Sequence, residues 1–329
     1  MIFRHQLRRA ISALIAALAL SPLSIAPLHA EDIAIGEGLS IAWVPFFVAD
    51  EKKLWDDQGL TAKSTLFASG RLVLDALTGG HVILGTAAET PVMFASVNNL
   101  PVRIVATMNR YECFDVVAAK DIRSIQDLKG RKIGYAQGTN SHYYLFKLLD
   151  KAGLKFSDVT AISLNPGDFV SSLSNGAIDA FIWTEPHQSQ AAALPGGGFH
   201  VIRTPGLYNT YSSIIALQST LDEKPELVVN ALKALITADR VAKENPEEAI
   251  RIVAEKVKLD PAIARALWPN LHLDIDLDRQ SLVAELENQA RWASANNLVR
   301  PDAKLPDFNT VVVSGPLEAA RLQLKAVQK

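Results

Sequence analysis

The side chains that could do chemistry in this chain are few and scattered. Outside the first thirty residues the histidines, at 81, 142, 187, 200 and 272, stand singly. There is no His-Glu-x-x-His pair, no Gly-x-Ser-x-Gly elbow and no phosphate loop ending in Gly-Lys-Ser/Thr. Gly36-Glu37-Gly38 lacks the third glycine of a dinucleotide turn, and Gly196-Gly197-Gly198 has no helix after it to hold a phosphate. Asp274, Asp276, Asp278 and Glu285 have the spacing of a calcium loop. Arg279, however, stands where the loop needs glycine, so the stretch reads as extended chain with Asp278 capping the next helix. Cys113 is the single cysteine, which excludes an intrachain disulfide and a multi-cysteine zinc site. His142 and His187 fall in candidate loops without a Ser or Cys partner. The expectation is a protein with no catalytic residue, no metal and no cofactor.

What remains is chemistry of capture. Six loops carry small, polar or aromatic residues: 43–47, 68–70, 87–91, 137–141, 165–168 and 184–186. Each follows an apolar run and precedes a helical pattern. A helix start offers free N–H groups and a partial positive charge, so it binds an anion without Lys or Arg. Small residues such as Ser69, Gly70, Gly138 and Thr139 let a ligand approach the backbone. Trp43, Phe46, Tyr111, Trp183 and Tyr208 are candidate apolar walls. Any one such loop is ordinary helix capping; six together point to a cleft.

The elements that must position these loops follow from periodicity. Strands are expected at 33–42, 61–67, 82–86, 102–108 and 115–119, and again at 132–135, 159–164, 178–183, 199–203 and 212–218. Helices are expected at 46–58, 71–77, 91–98, 141–151, 169–174 and 188–193. This β-α-β rhythm predicts an α/β protein with mostly parallel sheets flanked by helices. Residues 76–86 and 172–182 echo one another, each a helix end, a glycine stop and a buried strand. They are followed by Glu89-Thr90-Pro91 and Thr184-Glu185-Pro186. After 220 the chain turns helical. Pro225, Pro246 and Pro261 suit first turns, with Asn245 and Asp260 as caps of the latter two. These helices are expected to pack back on the first lobe.

The chain has 329 residues, 33 Lys+Arg and 35 Asp+Glu, a formal charge of −2 that leaves no footprint for nucleic acid. Arg4, Arg8 and Arg9, the apolar run 10–20 and Leu28-His29-Ala30 form a secretory signal layout, with cleavage expected after Ala30. The remaining chain then carries 30 basic and 35 acidic side chains, a charge of −5. The expected place is the periplasm, where disulfides are permitted but not required.

Four stretches in fixed order resemble the sulfonate, nitrate and taurine branch of the ABC-transporter substrate-binding proteins. They are Ser124-Ile-Gln-Asp127-Leu-Lys-Gly130-Arg-Lys-Ile-Gly134, Gly138-Thr-Asn-Ser-His-Tyr143, Gly85-Thr-Ala-Ala-Glu89-Thr90-Pro91, and Gly176-Ala-Ile-Asp179-Ala-Phe-Ile-Trp183-Thr-Glu185-Pro186. The resemblance implies a two-lobed type II periplasmic-binding-protein fold with the ligand cleft between the lobes. Lobe one would be 31–115 plus 216–329, and lobe two 116–215, inserted. Hinge crossings would lie near 113–116 and 211–215. It implies a non-enzymatic, monomeric venus-flytrap protein that hands a small organic anion, sulfonate- or taurine-like, to an ABC permease. The implied ligand contacts are Trp43, Phe46, Ser69, Gly70, Glu89, Thr90, Thr139, Asn140, Ser141, Trp183 and Glu185. The anionic head would sit between the helix starts at Thr90 and Asn140, and Glu185 would pair with an amine. Arg71 and Leu72 replace a proline and a polar residue of the family, and Ile83 replaces an aspartate. A neutral heterocycle such as a thiamine pyrimidine is the alternative ligand class; an enzyme on the same frame is a third reading.

Overall fold

The computed structural model describes residues 30–196 and 198–327; the expected signal segment lies outside these, apart from Ala30. Ten strands run in chain order as β1 (Glu31–Gly38), β2 (Leu60–Phe67), β3 (Leu84–Ala88), β4 (Val102–Tyr111), β5 (Asp115–Ala119), β6 (Lys132–Tyr135), β7 (Thr160–Ser163), β8 (Ala180–Trp183), β9 (Phe199–Ile202) and β10 (Thr210–Leu217). They form two five-stranded sheets, ordered β2-β1-β3-β10-β4 and β7-β6-β8-β5-β9.

The two sheets follow one plan. β1 pairs parallel with β2 and β3, and β6 parallel with β7 and β8. In the fourth place of each sheet stands an antiparallel strand, β10 in the first and β5 in the second. Each of these is the first strand the chain makes after crossing from the other sheet. Segment 112–114 makes the first crossing and 203–209 the second, and the Gly206 N–H donates to Glu112 Oε1 (2.7 Å) between them. The second crossing was expected at 211–215. β10 instead pairs with β3 and β4 from Thr210 onward, because Ser212, Ser213, Ile214 and Ile215 are buried in the first sheet.

The helices are α1 (Val44–Glu51), α2 (Gly70–Thr78), α3 (Glu89–Val97), α4 (Asn140–Ala152), α5 (Phe169–Ser174), α6 (His187–Ala192), α7 (Gln218–Glu223), α8 (Pro225–Glu244), α9 (Pro246–Val257), α10 (Pro261–Leu267), α11 (Arg279–Ala295) and α12 (Gly315–Val327). α8 and α9 pack on α1, α11 on α3, and α12 on α8. Leu227, Leu232 and Leu235 of α8 are buried in one core with Phe46, Phe47 and Trp55. Leu282, Leu286 and Ala290 of α11 share a second core with Val92 and Met93. The C-terminal helices thus cover the first sheet. Among the described residues no helix is long and apolar enough to cross a membrane.

Local chemistry moves several boundaries. The first strand ends at Gly38 rather than 42, because Ser40 Oγ accepts the Ala42 N–H (3.2 Å) and starts a tight 3-10 turn at Ile41–Trp43. The helix expected at 46–58 ends at Glu51. Trp55 turns inward against Phe46, its Nε1–H held by Asp50 (2.8 Å). Asp260 caps α10 through Ala262 N (2.7 Å), and Asp278 caps α11 through Ser281 N (3.1 Å). Asn245 precedes α9 but does not cap it; its amide donates backward to Val241 O (3.3 Å). Asp276 joins an isolated bridge with Thr107 and pairs with Arg321 (2.9 Å), as suits extended chain rather than a calcium loop.

Candidate functional site

A cavity of about 60 Å³ lies where the two sheets meet. Six of the expected ligand contacts line it: Trp43, Ser69 and Gly70 from the first sheet's loops, and Thr139, Asn140 and Trp183 from the second's. Two helices point their starts at it. At α2, Ser69 is the cap, its Oγ accepting Leu72 N (3.4 Å). A Cβ on Gly70 would stand 2.9 Å from Ala87 Cα, so only glycine lets α2 begin this close to β3. At α4, Thr139 Oγ1 accepts Ser141 N (3.2 Å) and donates to Ala136 O (2.8 Å). The N-terminal amides of α2 and α4 thus approach one small space from opposite sheets.

The walls are aromatic. Trp43 is delivered by the 3-10 turn, which Asn109 holds through its Nδ2–H to Ala42 O (2.8 Å). Asn109 is in turn fixed by Ser212 Oγ (2.6 Å). Trp183 meets Phe114 edge to face at 5.8 Å, and Phe114 and Tyr111 also line the cavity. Among the described residues the indole N–H groups of Trp43 and Trp183 are buried and have no hydrogen-bond partner. A buried donor left unpaired costs free energy unless an acceptor reaches it.

Five expected contacts lie elsewhere. Phe46 is fully buried in the core behind Trp43. Ser141 is buried, and its Oγ–H donates to Ile182 O (2.8 Å). Thr90 is buried in the first turn of α3 and does not line the cavity, although Pro91 beside it does. Glu185 caps α6, accepting Ser189 N (3.0 Å) and Ser189 Oγ–H (2.6 Å), and faces two adjoining cavities rather than this one. The 165–168 loop likewise contributes nothing to the lining.

Glu89 is the most informative displacement. Its Oε1 accepts from the Tyr208 hydroxyl and from Gln289 Nε2 (3.0 Å), and its Oε2 accepts Tyr211 N–H (3.0 Å). The Tyr208 oxygen accepts from Asn140 Nδ2 in turn. One carboxylate therefore ties α3, α11 and the second crossing to the cavity-lining Asn140 of α4. Burial pushes the Glu89 carboxyl up to about 7, against the pull of the Tyr208 hydrogen bond. Tyr208, expected as an apolar wall, is the hub of this network. Gln289 was not singled out, though its position carried a signal: a glutamine fully buried on the apolar face of α11 beside Leu282, Leu286 and Ala293.

The other flagged groups have the following surroundings. His142 packs among Phe94, Tyr135 and Trp292, and burial lowers it to about 4. His187 lies against Trp183 and is likewise lowered by burial to about 4. Cys113 lines the cavity at the first crossing, its thiol pushed by burial up to about 12. The Arg110 guanidinium sits over the Tyr211 ring at 4.8 Å and does not line the cavity. Among the described residues no group of three or more His, Cys, Asp or Glu could hold a metal ion.

The chain is similar to known proteins in sequence and in fold. An Escherichia coli (strain K12) protein named for binding aliphatic sulfonates is 29% identical over 206 residues, 61% of this chain and 64% of its own length. A binding protein of Brucella abortus (strain 2308) is 30% identical over 219 residues, 65% of this chain and 68% of its own. The alkanesulfonate-binding protein of Xanthomonas axonopodis pv. citri, solved with MOPS bound, superposes with a TM-score of 0.76. It is 20% identical and covers 86% of this chain and 98% of that one. That likeness establishes the fold, the two-lobed α/β architecture of periplasmic binding proteins. The family model described as NMT1/THI5 like matches residues 41–249, and the chain belongs to that family.

Proposed function

We propose that this protein is the periplasmic substrate-binding component of an ABC importer, and that it captures a small organic sulfonate by closing its two lobes. The observation that carries this reading is the cavity's lining. Two helix starts from opposite sheets, two indole rings with unpaired N–H groups and no carboxylate surround a space for a small anion with an apolar body. The naming of the Escherichia coli relative for aliphatic sulfonates supports the ligand class. With Glu89 and Glu185 engaged elsewhere, nothing in the lining pairs with a ligand amine, which favours a plain sulfonate over a taurine-like zwitterion.

In this reading residues 31–115 and 210–329 form lobe one and 116–202 lobe two, the expected boundary at 216 giving way because β10 joins the first sheet from Thr210. The strand pairing of β10 draws the second crossing back to 203–209. The head sits at Ser69, Gly70, Thr139 and Asn140, and the body against Trp43 and Trp183. A permease then receives the closed, monomeric protein. The leader at 1–30 supports export, with mature chain starting at Glu31.

Calorimetry with 1-propanesulfonate, taurine, nitrate and a pyrimidine tests the reading. Propanesulfonate is expected to bind most tightly, and Asn140→Ala to weaken it more than Trp183→Ala. Binding of the pyrimidine alone, with the reverse order of the two variants, would overturn it in favour of a neutral heterocycle.

A further inference from the structure

We infer that Arg71 reads the ligand's negative charge, and that its bond to the second lobe is a gate which the ligand releases. The inference rests on the anion reading above and names the residue that makes it work. Among the described residues lining the inner cavity, Arg71 is the one charged side chain.

Its guanidinium crosses between the lobes. Arg71 stands in the first turn of α2, and its Nη1–H donates to the carbonyl of Gln137 (2.9 Å) in the turn before α4. The same nitrogen would lie 3.1 Å from a Cβ on Gly138, whose φ of +75° already favours glycine. The turn thus presents bare backbone to the guanidinium. Arg71 and Pro91 also line a second, outer cavity of about 250 Å³ that includes Gln137 and His142. The Arg71 side chain is therefore a wall shared by the inner and outer spaces.

The wall is built to move. The side chain is 49% exposed, and its ion pair with Asp75 is loose at 3.9 Å. A guanidinium carries five N–H donors in a fixed fork suited to the oxygens of an oxyanion. The bond to Gln137 engages one nitrogen and a neutral acceptor. A hydrogen bond to an anion is roughly twice as strong as one to a neutral carbonyl, so a ligand anion competes well for the group. When the fork turns to the anion, the Gln137 bond is given up or shared. Release of ligand is then tied to the return of the fork to the Gln137 carbonyl.

The test uses 1-propanesulfonate and its uncharged analogue methyl propyl sulfone, with wild type, Arg71→Gln and Arg71→Lys. Affinities are read by calorimetry, and release rates by stopped-flow tryptophan fluorescence. Arg71→Gln is expected to weaken propanesulfonate by roughly ten- to hundredfold, the scale of a lost charge-assisted bond, mostly through faster release. Whatever sulfone binding wild type shows should change less than twofold, and Arg71→Lys should recover part of the sulfonate loss. Propanesulfonate binding by Arg71→Gln within threefold of wild type, or equal losses for sulfonate and sulfone, would overturn the inference. If wild type binds no sulfonate at all, the anion reading itself fails and this inference falls with it.

Discussion

Replacing Glu89 by alanine tests whether a carboxylate in the family's binding motif is a structural clasp. The change removes the acceptor of three buried donors: the Tyr208 hydroxyl, Gln289 Nε2 and the Tyr211 backbone N–H. An orphaned buried donor costs about 1–3 kcal/mol, so the variant should lose roughly 3–6 kcal/mol once water partly fills the gap. Glu89→Gln keeps the shape. Its oxygen can accept Tyr211 N–H and its amide can donate to Tyr208, while Gln289 can turn its own oxygen, which has no partner, toward the new amide. That variant should lose less than about 1.5 kcal/mol at pH 5. The pH dependence separates charge from shape. The folded carboxyl is raised from 4.5 to about 7, so its contribution is full below pH 4.5 and is lost as pH rises through 7. Two and a half units correspond to about 3 kcal/mol. Glu37 and Asp115, raised mainly by burial to about 8 and about 6, carry the same sign, so only the difference between wild type and Glu89→Gln isolates Glu89. Urea unfolding followed by tryptophan fluorescence at pH 5 and pH 8 gives the numbers. An alanine variant within 1 kcal/mol of wild type, or a glutamine variant whose pH dependence parallels wild type, would refute the clasp.

Three further outcomes follow from where the structure puts other residues. Phe46→Ala should cost about 3–5 kcal/mol of stability, read by urea unfolding, while the folded fraction keeps its sulfonate affinity. Glu185→Ala should cost about 1 kcal/mol through the lost α6 cap and leave propanesulfonate binding within twofold in calorimetry. Cys113 should react with Ellman's reagent at least tenfold more slowly in the native protein than in urea, because its thiol is half-buried at the cavity wall and pushed up to about 12.

The alternation of apolar runs and glycine stops is enough to expect two α/β sheets, and the motif order is enough to expect the family. These are local signals. A strand-helix-strand unit writes its period into consecutive residues, and a helix start writes its cap. Ser69, Gly70, Thr139 and Asn140 are therefore readable as cavity-lining residues, since a cap at the end of a parallel strand sits at the carboxyl edge of the sheet. Trp43 is readable for the same reason, though the strand expected through Ala42 ends at Gly38 and a 3-10 turn at Ile41–Trp43 aims the indole.

What local signals could not carry is direction and partnership across the fold. β5 and β10 look like their neighbours in sequence, yet both run antiparallel, because each is the strand received from the other sheet. Glu89 and Glu185 sit in the right motifs but turn away, one to a tyrosine 119 positions later and one to a serine in the next helix turn. The acid and its partner compete with ligand for the same geometry, and only packing decides the winner. Arg71 shows the converse. As a residue type it marked a departure from the family; its meaning came from a carbonyl 66 positions away that the fold brings within hydrogen-bond reach. The sequence alone determined the family, the lobes' periodicity and the helix starts that favour an anion. The tertiary structure decided which polar groups are spent on one another and which line the cavity, because that depends on distances between segments far apart in the chain.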